Sequence, residues 1–127
     1  MPIDWPANVI VIEDYAMADA PLPGEHMRLN AALAVRGAQL LGVEPERAVE
    51  LLPTFACLSR RTEVLGTLGD AVVLSDYAHH PTEIAATITA LRERYTKSRI
   101  AVLFEAHMLE RLVTFKKDYV KALTMAD

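Results

Sequence analysis

The chain has 127 residues, 52% of them apolar, with a formal charge of −4 and a single cysteine. That is enough material for one modest core, and it argues against a general nucleic-acid binder, which needs a basic face, and against an internal disulfide. No stretch approaches the roughly 20 apolar residues of a bilayer span, and no basic run followed by an apolar one opens the chain, so the expected partners include no membrane and the expected location is cytoplasmic. Cys57 reads as a small buried side chain.

In chain order, Val9-Ile10-Val11-Ile12 reads as a strand, and residues 13–24, with Pro21, Pro23 and Gly24, as a loop. Residues 29–41 carry an alanine-rich helical pattern that Gly42 ends. Glu44-Pro45-Glu46 opens a second short helix that runs to about Leu52, with acids in its first turn, and Pro53 closes it. Residues 55–61 read as a linker. Residues 63–68 and 71–75 flank Gly69-Asp70 and predict a β-hairpin. Helix is expected over 82–95, a buried strand over 100–104 and a long helix over 109–125. Strand, helix, strand, helix from residue 71 onward predicts a parallel α/β sheet. A two-strand parallel unit plus a hairpin makes a thin sheet. The expectation is therefore a piece of a larger protein, with apolar surface left open to self-association.

The densest chemistry is Asp76-Tyr77-Ala78-His79-His80-Pro81. It follows the apolar run 71–74 and precedes a helical pattern for which Pro81 suits the first turn. A carboxylate, a phenol and two imidazoles thus gather at a strand's C-terminal end beside a helix N-terminus. That is where open α/β sheets bind ligands and where anions are attracted. Singly, an Asp there is a cap and a His a structural loop residue; together they point to a site.

Three further segments fall in order with it: residues 22–32 (Leu-Pro-Gly-Glu-His-Met-Arg-Leu-Asn-Ala-Ala), 55–63 (Phe-Ala-Cys-Leu-Ser-Arg-Arg-Thr-Glu) and 104–111 (Phe-Glu-Ala-His-Met-Leu-Glu-Arg). Together, from about residue 20 to the end, they resemble the Mur ligases of bacterial peptidoglycan synthesis. The resemblance implies an ATP-dependent, Mg2+-requiring amide ligase that activates the carboxylate of UDP-N-acetylmuramate as an acyl phosphate, for attack by a small amino acid such as L-alanine. It implies that residues 1–54 end a central ATP-binding domain and that residues 55–127 begin a Rossmann-like, amino-acid-binding C-terminal domain, with the rest of the central domain and an N-terminal domain outside this chain. By the same resemblance, His26 and Asn30 would sit near the adenine. Arg61 would reach the nucleotide, with Arg60 supporting it or bracing the interface, and Asp76 would hold the ribose or phosphate end. His79 and His80 would lie near the amino acid or the transferring phosphate as catalytic groups, and Tyr77 would line that pocket. His107 and Arg111 would meet the amino acid, Arg111 at its carboxylate. Arginine suits phosphate because its fork makes two parallel hydrogen bonds.

The chain departs from the family pattern at Met27 (usually Asn), Cys57 (Gly), Ser75 (often Asp), Glu105-Ala106 (Gln-Pro), Met108 (often basic) and Leu109-Glu110 (Tyr-Ser or Tyr-Thr). It contains no Gly-x-x-Gly-Lys-Thr P-loop, so the isolated chain is expected not to catalyse ligation. The rival readings are a related ligase that adds a peptide to the same sugar acid, and a non-catalytic nucleotide-binding or interaction remnant.

Overall fold

The computed structural model describes residue 22, residues 24–55 and residues 58–127. The expected strand at 9–12, most of the expected loop at 13–24 and Cys57 lie outside the described residues. Helix α1 spans Glu25–Leu40. It ends as the sequence predicts: the Gly42 N–H donates to the Gln39 carbonyl and the Val43 N–H to the Ala38 carbonyl. This double closure needs a left-handed residue at Gly42, whose φ is 86°. The helix starts four residues before Leu29, so His26 and Asn30 both lie on it. Helix α2, Pro45–Leu51, has its proline in the first turn and passes into a 3-10 turn at Leu52–Thr54.

Strands β1 (Glu63–Leu68) and β2 (Ala71–Ser75) form the expected antiparallel hairpin around Gly69-Asp70. Its register slips between Val64 and Gly66, a one-residue bulge. Helix α3 spans Pro81–Arg94.

The mixed helix-and-strand character is as expected, but the parallel sheet is not formed among the described residues, whose one sheet is the β1–β2 hairpin. Residues 100–104 make no ladder. A parallel ladder needs their backbone groups to face a neighbouring strand. Instead, the Ile100 N–H donates to the Asp127 carboxylate at 2.7 Å, and the Ile100 carbonyl accepts the Asp127 N–H at 2.9 Å. A cleft of about 660 Å³, walled by Val72, Leu74, Ile88, Ile100 and Phe104 among others, lies between β2 and this segment. Leu103 is fully exposed, at 103%.

The long helix expected over 109–125 is also divided, into α4 (Leu109–Thr114) and α5 (Lys116–Leu123). The break is at Phe115, φ −107° and ψ 24°, whose ring is turned edge-on to His80.

The core is the seam between α3 and α5. Ile84, Ile88, Tyr119 and Ala122 are buried there, with Phe104, Leu112 and Leu123 packed around them. Helix α1 docks on the far end of α3 through a close approach at Gly24. A Cβ on that residue would lie 2.6 Å from the Ala90 methyl, and its φ of +86° already disfavours a side chain. The Gly24 N–H and Arg28 both bond the Glu93 carboxylate, at 3.0 and 3.3 Å.

Candidate functional site

The polar loop after β2 meets the turn before β1, and one carboxylate organises the meeting. Asp76 Oδ2 accepts the Thr62 N–H at 2.8 Å and the Thr62 hydroxyl at 3.1 Å. Oδ1 accepts the Ala78 N–H at 2.7 Å and the Thr87 hydroxyl at 3.5 Å. These bonds hold a backbone that side chains resist: Arg60 and Thr62 sit at φ 59° and 50°, in the left-handed region where a β-branched residue is strained. Two more bonds complete the clamp. The Tyr77 N–H donates to the Arg60 carbonyl at 2.7 Å, and Glu63 accepts the Arg60 N–H at 2.7 Å. The strained turn brings both arginines to one aromatic ring. The Arg60 guanidinium lies 4.7 Å and that of Arg61 5.8 Å from the Tyr77 ring centre, within the range of cation–π attraction.

The same loop runs on into the histidine pair. Tyr77 and His79 meet edge to face at 4.9 Å. His79 Nδ1 lies 3.0 Å from the Tyr77 carbonyl oxygen and 3.5 Å from Glu83 Oε2. His80 caps α3: its Nδ1 accepts the Thr82 N–H at 3.3 Å, while Glu83 reaches back to the N–H groups of His79 and His80, both at 3.0 Å. This is a capping box with imidazole in place of a hydroxyl. The His79 N–H holds the Glu83 carboxyl below its ordinary value, against the opposing effect of burial. From the other side, the Tyr119 hydroxyl donates to the His79 carbonyl at 2.7 Å, and the Phe115 ring packs on His80 at 5.1 Å.

Of the site residues expected from sequence, Arg60, Arg61, Asp76, Tyr77, His79 and His80 form one continuous constellation. His26 lies in the first turn of α1, with Asn30 exposed one turn on. A second cleft of about 570 Å³ extends from Met27, beside His26, to Arg61 and Arg94. His107 is exposed before α4, and Arg111 lies on α4. Among the described residues, no hydrogen bond or ion pair joins either of them to the loop. Sequence reading missed Thr62, Thr87, Glu83, Phe115 and Tyr119. Glu83, three residues after His80 at a helix start, is the one with a sequence signal, the spacing of a capping box.

Residues 60–126 match the family model described as "Mur ligase, glutamate ligase domain". The chain belongs to the Mur ligase family. It is 43% identical over 106 residues to the UDP-N-acetylmuramate–L-alanine ligase of Bifidobacterium adolescentis, covering 84% of this chain and 20% of that protein. It is 44% identical over 115 residues to the ligase of the same name from Thermobifida fusca, covering 84% and 24%. Among solved structures, the UDP-N-acetylmuramate-alanine ligase of Thermotoga maritima matches at TM-score 0.69 and 29% identity, over 84% of this chain and 23% of that one. A murein peptide ligase from Psychrobacter arcticus matches at TM-score 0.51 and 27% identity, over 82% and 22%. This Mur ligase chain thus spans 20–24% of the length of these relatives. No helix among its described residues is long and apolar enough to cross a membrane.

Proposed function

We propose that this chain is part of an ATP-dependent cytoplasmic ligase that joins L-alanine to UDP-N-acetylmuramate in peptidoglycan precursor synthesis. Residues 1–54 would end its central domain and residues 55–127 begin its C-terminal one; the family match starting at residue 60 supports a join there. The observation that carries the reading is the clamp of Asp76 on the Arg60–Thr62 turn. It fixes two guanidinium groups beside a histidine pair, at a strand end next to a helix N-terminus. Acyl phosphate formation moves the ATP γ-phosphoryl onto the sugar-acid carboxylate, with ADP leaving. Charge spreads over the phosphoryl oxygens, so fixed cations favour the transition state over the ground state.

In this reading Arg61 meets the nucleotide and Arg60 braces it. His26 and Asn30 flank the adenine across the second cleft. Tyr77, His79, His80, His107 and Arg111 face the amino acid. Asp76 has four protein donors on its two oxygens, so its larger part here is to position the turn, with the ribose or phosphate contact added to that. Mg2+ would neutralise phosphate charge in the full-length ligase. Among the described residues no three His, Cys, Asp or Glu come together as a metal-binding group, and no step here runs through the ion.

The test is ADP release by the full-length ligase, dependent on both UDP-N-acetylmuramate and L-alanine. It should fall about 10²–10³-fold in Arg61→Ala, the range for losing one fixed charge-stabilising group. Arg61→Ala with unaltered nucleotide affinity and turnover would instead support a non-catalytic module. The peptide-adding alternative rests on the murein peptide ligase likeness, a looser match than the alanine ligase one. Self-association of the isolated chain has support in the exposed Leu65, Leu68, Val72 and Leu103 along the hairpin and the unladdered segment.

A further inference from the structure

His79 and His80 are neighbours in one loop, yet the same ring atom meets opposite chemistry in each. His79 Nδ1 faces the Tyr77 carbonyl oxygen at 3.0 Å and a Glu83 carboxylate oxygen at 3.5 Å. Both partners can only accept, so a neutral His79 ring carries its proton on Nδ1. His80 Nδ1 faces the Thr82 N–H at 3.3 Å, which can only donate, so a neutral His80 ring carries its proton on Nε2. We infer that the two imidazoles are held as opposite tautomers, His79 presenting a bare Nε2 as proton acceptor and His80 an Nε2–H as hydrogen-bond donor, with Glu83 as the positioning residue for both.

Every neighbouring element contributes to this arrangement. Glu83 anchors the pair from α3 by binding both backbone N–H groups. From α5, Tyr119 pins the His79 carbonyl, and from the helix break Phe115 packs on the His80 ring. The Tyr77 ring fixes the plane of His79 from the strand side. His79 and Arg61 are the charged groups whose fields reach Glu83. A histidine free in water favours Nε2–H, so His80 keeps the default and His79 is driven away from it.

The chemical use of this pair rests on the ligase reading. When an amine attacks an acyl phosphate, the C–N bond forms, the carbon–oxygen bond to phosphate breaks with its electron pair leaving on phosphate, and the nitrogen loses a proton. His79 Nε2 takes that proton. The resulting imidazolium lies beside the Glu83 carboxylate, which stabilises it, as an orienting acid does behind a general base. His80 Nε2–H donates to an anionic oxygen of the departing phosphate. One base and one donor are thereby obtained from identical side chains without either having to change state first.

The tautomers are read directly by nitrogen-15 NMR of the imidazole rings in the 127-residue chain, at a pH above the ordinary histidine value of about 6.5. The expected result is Nδ1–H for His79 and Nε2–H for His80. The same tautomer on both rings, or the reverse assignment, overturns the inference. In Glu83→Ala, which removes the carboxylate from both backbone N–H groups and from His79 Nδ1, both rings should lose part of their tautomer bias and move toward the mixture of a free imidazole; two unmoved rings remove Glu83 from the positioning role. In the full-length ligase, His79→Asn should lower kcat about 10²–10⁴-fold, the usual worth of a general base, and abolish the acidic limb of the kcat pH profile while nucleotide affinity is kept. An unchanged kcat overturns the proton-acceptor role. Absence of any amide product from the unsubstituted full-length protein sinks the ligase reading and leaves the tautomer result standing.

Discussion

The hydroxyl of Tyr119 donates a 2.7 Å hydrogen bond to the carbonyl of His79, across 40 residues of sequence. Tyr119 is also a centre of the core, 4% exposed and packed against Ile84 and Ile88, with Phe104 tilted on its ring at 5.3 Å. The packing seam of α3 and α5 and the backbone of the histidine loop are therefore tied by one side chain.

Tyr119→Phe keeps the ring and removes the bond. It should cost about 0.5–1.5 kcal/mol of stability, read by urea unfolding. Tyr119→Ala should cost about 3–5 kcal/mol, as large aromatic truncations in cores do. Equal losses in the two variants would show that the ring contributes little and the α3–α5 seam is not the core.

Gly24→Ala places a methyl 2.6 Å from the Ala90 Cβ, at a φ of +86°. The strain and the overlap together should destabilise by about 1–3 kcal/mol and lift the start of α1 from α3. Hydrogen exchange should then rise at residues 25–28. Ala90→Gly in the same chain should restore part of the loss, because it removes the overlap and leaves the φ strain.

Glu83 gives stability a definite pH sense. Its folded value lies below the ordinary 4.5, first because of the His79 N–H. The unfolded chain therefore binds its proton more readily, and the stabilisation is complete above the unfolded value and lost as pH falls through the folded one. Unfolding free energies of the natural chain and Glu83→Gln should differ at about pH 7 and converge as pH falls through the folded value. A gap that widened on acidification would mean that the sign is wrong.

Asp76→Ala removes the acceptor for the Thr62 and Ala78 N–H groups and leaves the strained turn without its clamp. A loss of about 1–3 kcal/mol is expected, together with loss of Arg60 from the Tyr77 face, visible as altered Tyr77 ring shifts. Thr62→Gly relieves φ strain and forfeits the hydroxyl bond, so it should be much milder.

The isolated chain should self-associate through its open apolar surface, and sedimentation should show mass rising with concentration. Leu103→Lys, at a fully exposed position, should reduce association without changing the unfolding midpoint, because the side chain contributes nothing to the folded monomer.

The sequence by itself determined the local elements and the chemistry of the loop. Gly42 as a helix stop, Gly69-Asp70 as a hairpin turn and Pro81 as a helix start are short-range preferences of backbone and side chain, and they needed no partner. The grouping of Asp76, Tyr77, His79 and His80 was legible for the same reason: they fall within five residues. What the apolar run at 100–104 and the long pattern at 109–125 would become was not legible. Whether an extended segment joins a ladder depends on which backbone groups are already taken, and Asp127 takes those of Ile100. Whether a helix bends at Phe115 depends on a ring 35 residues earlier in the chain, that of His80. Only the tertiary structure decided that Asp76 braces a strained turn 14 residues earlier and that Tyr119 holds the His79 carbonyl across 40 residues. The partners that set hydrogen-bond direction at the two imidazoles, Tyr77, Thr82 and Glu83, are near in sequence, but which ring atom meets which of them follows from the folded loop and helix start.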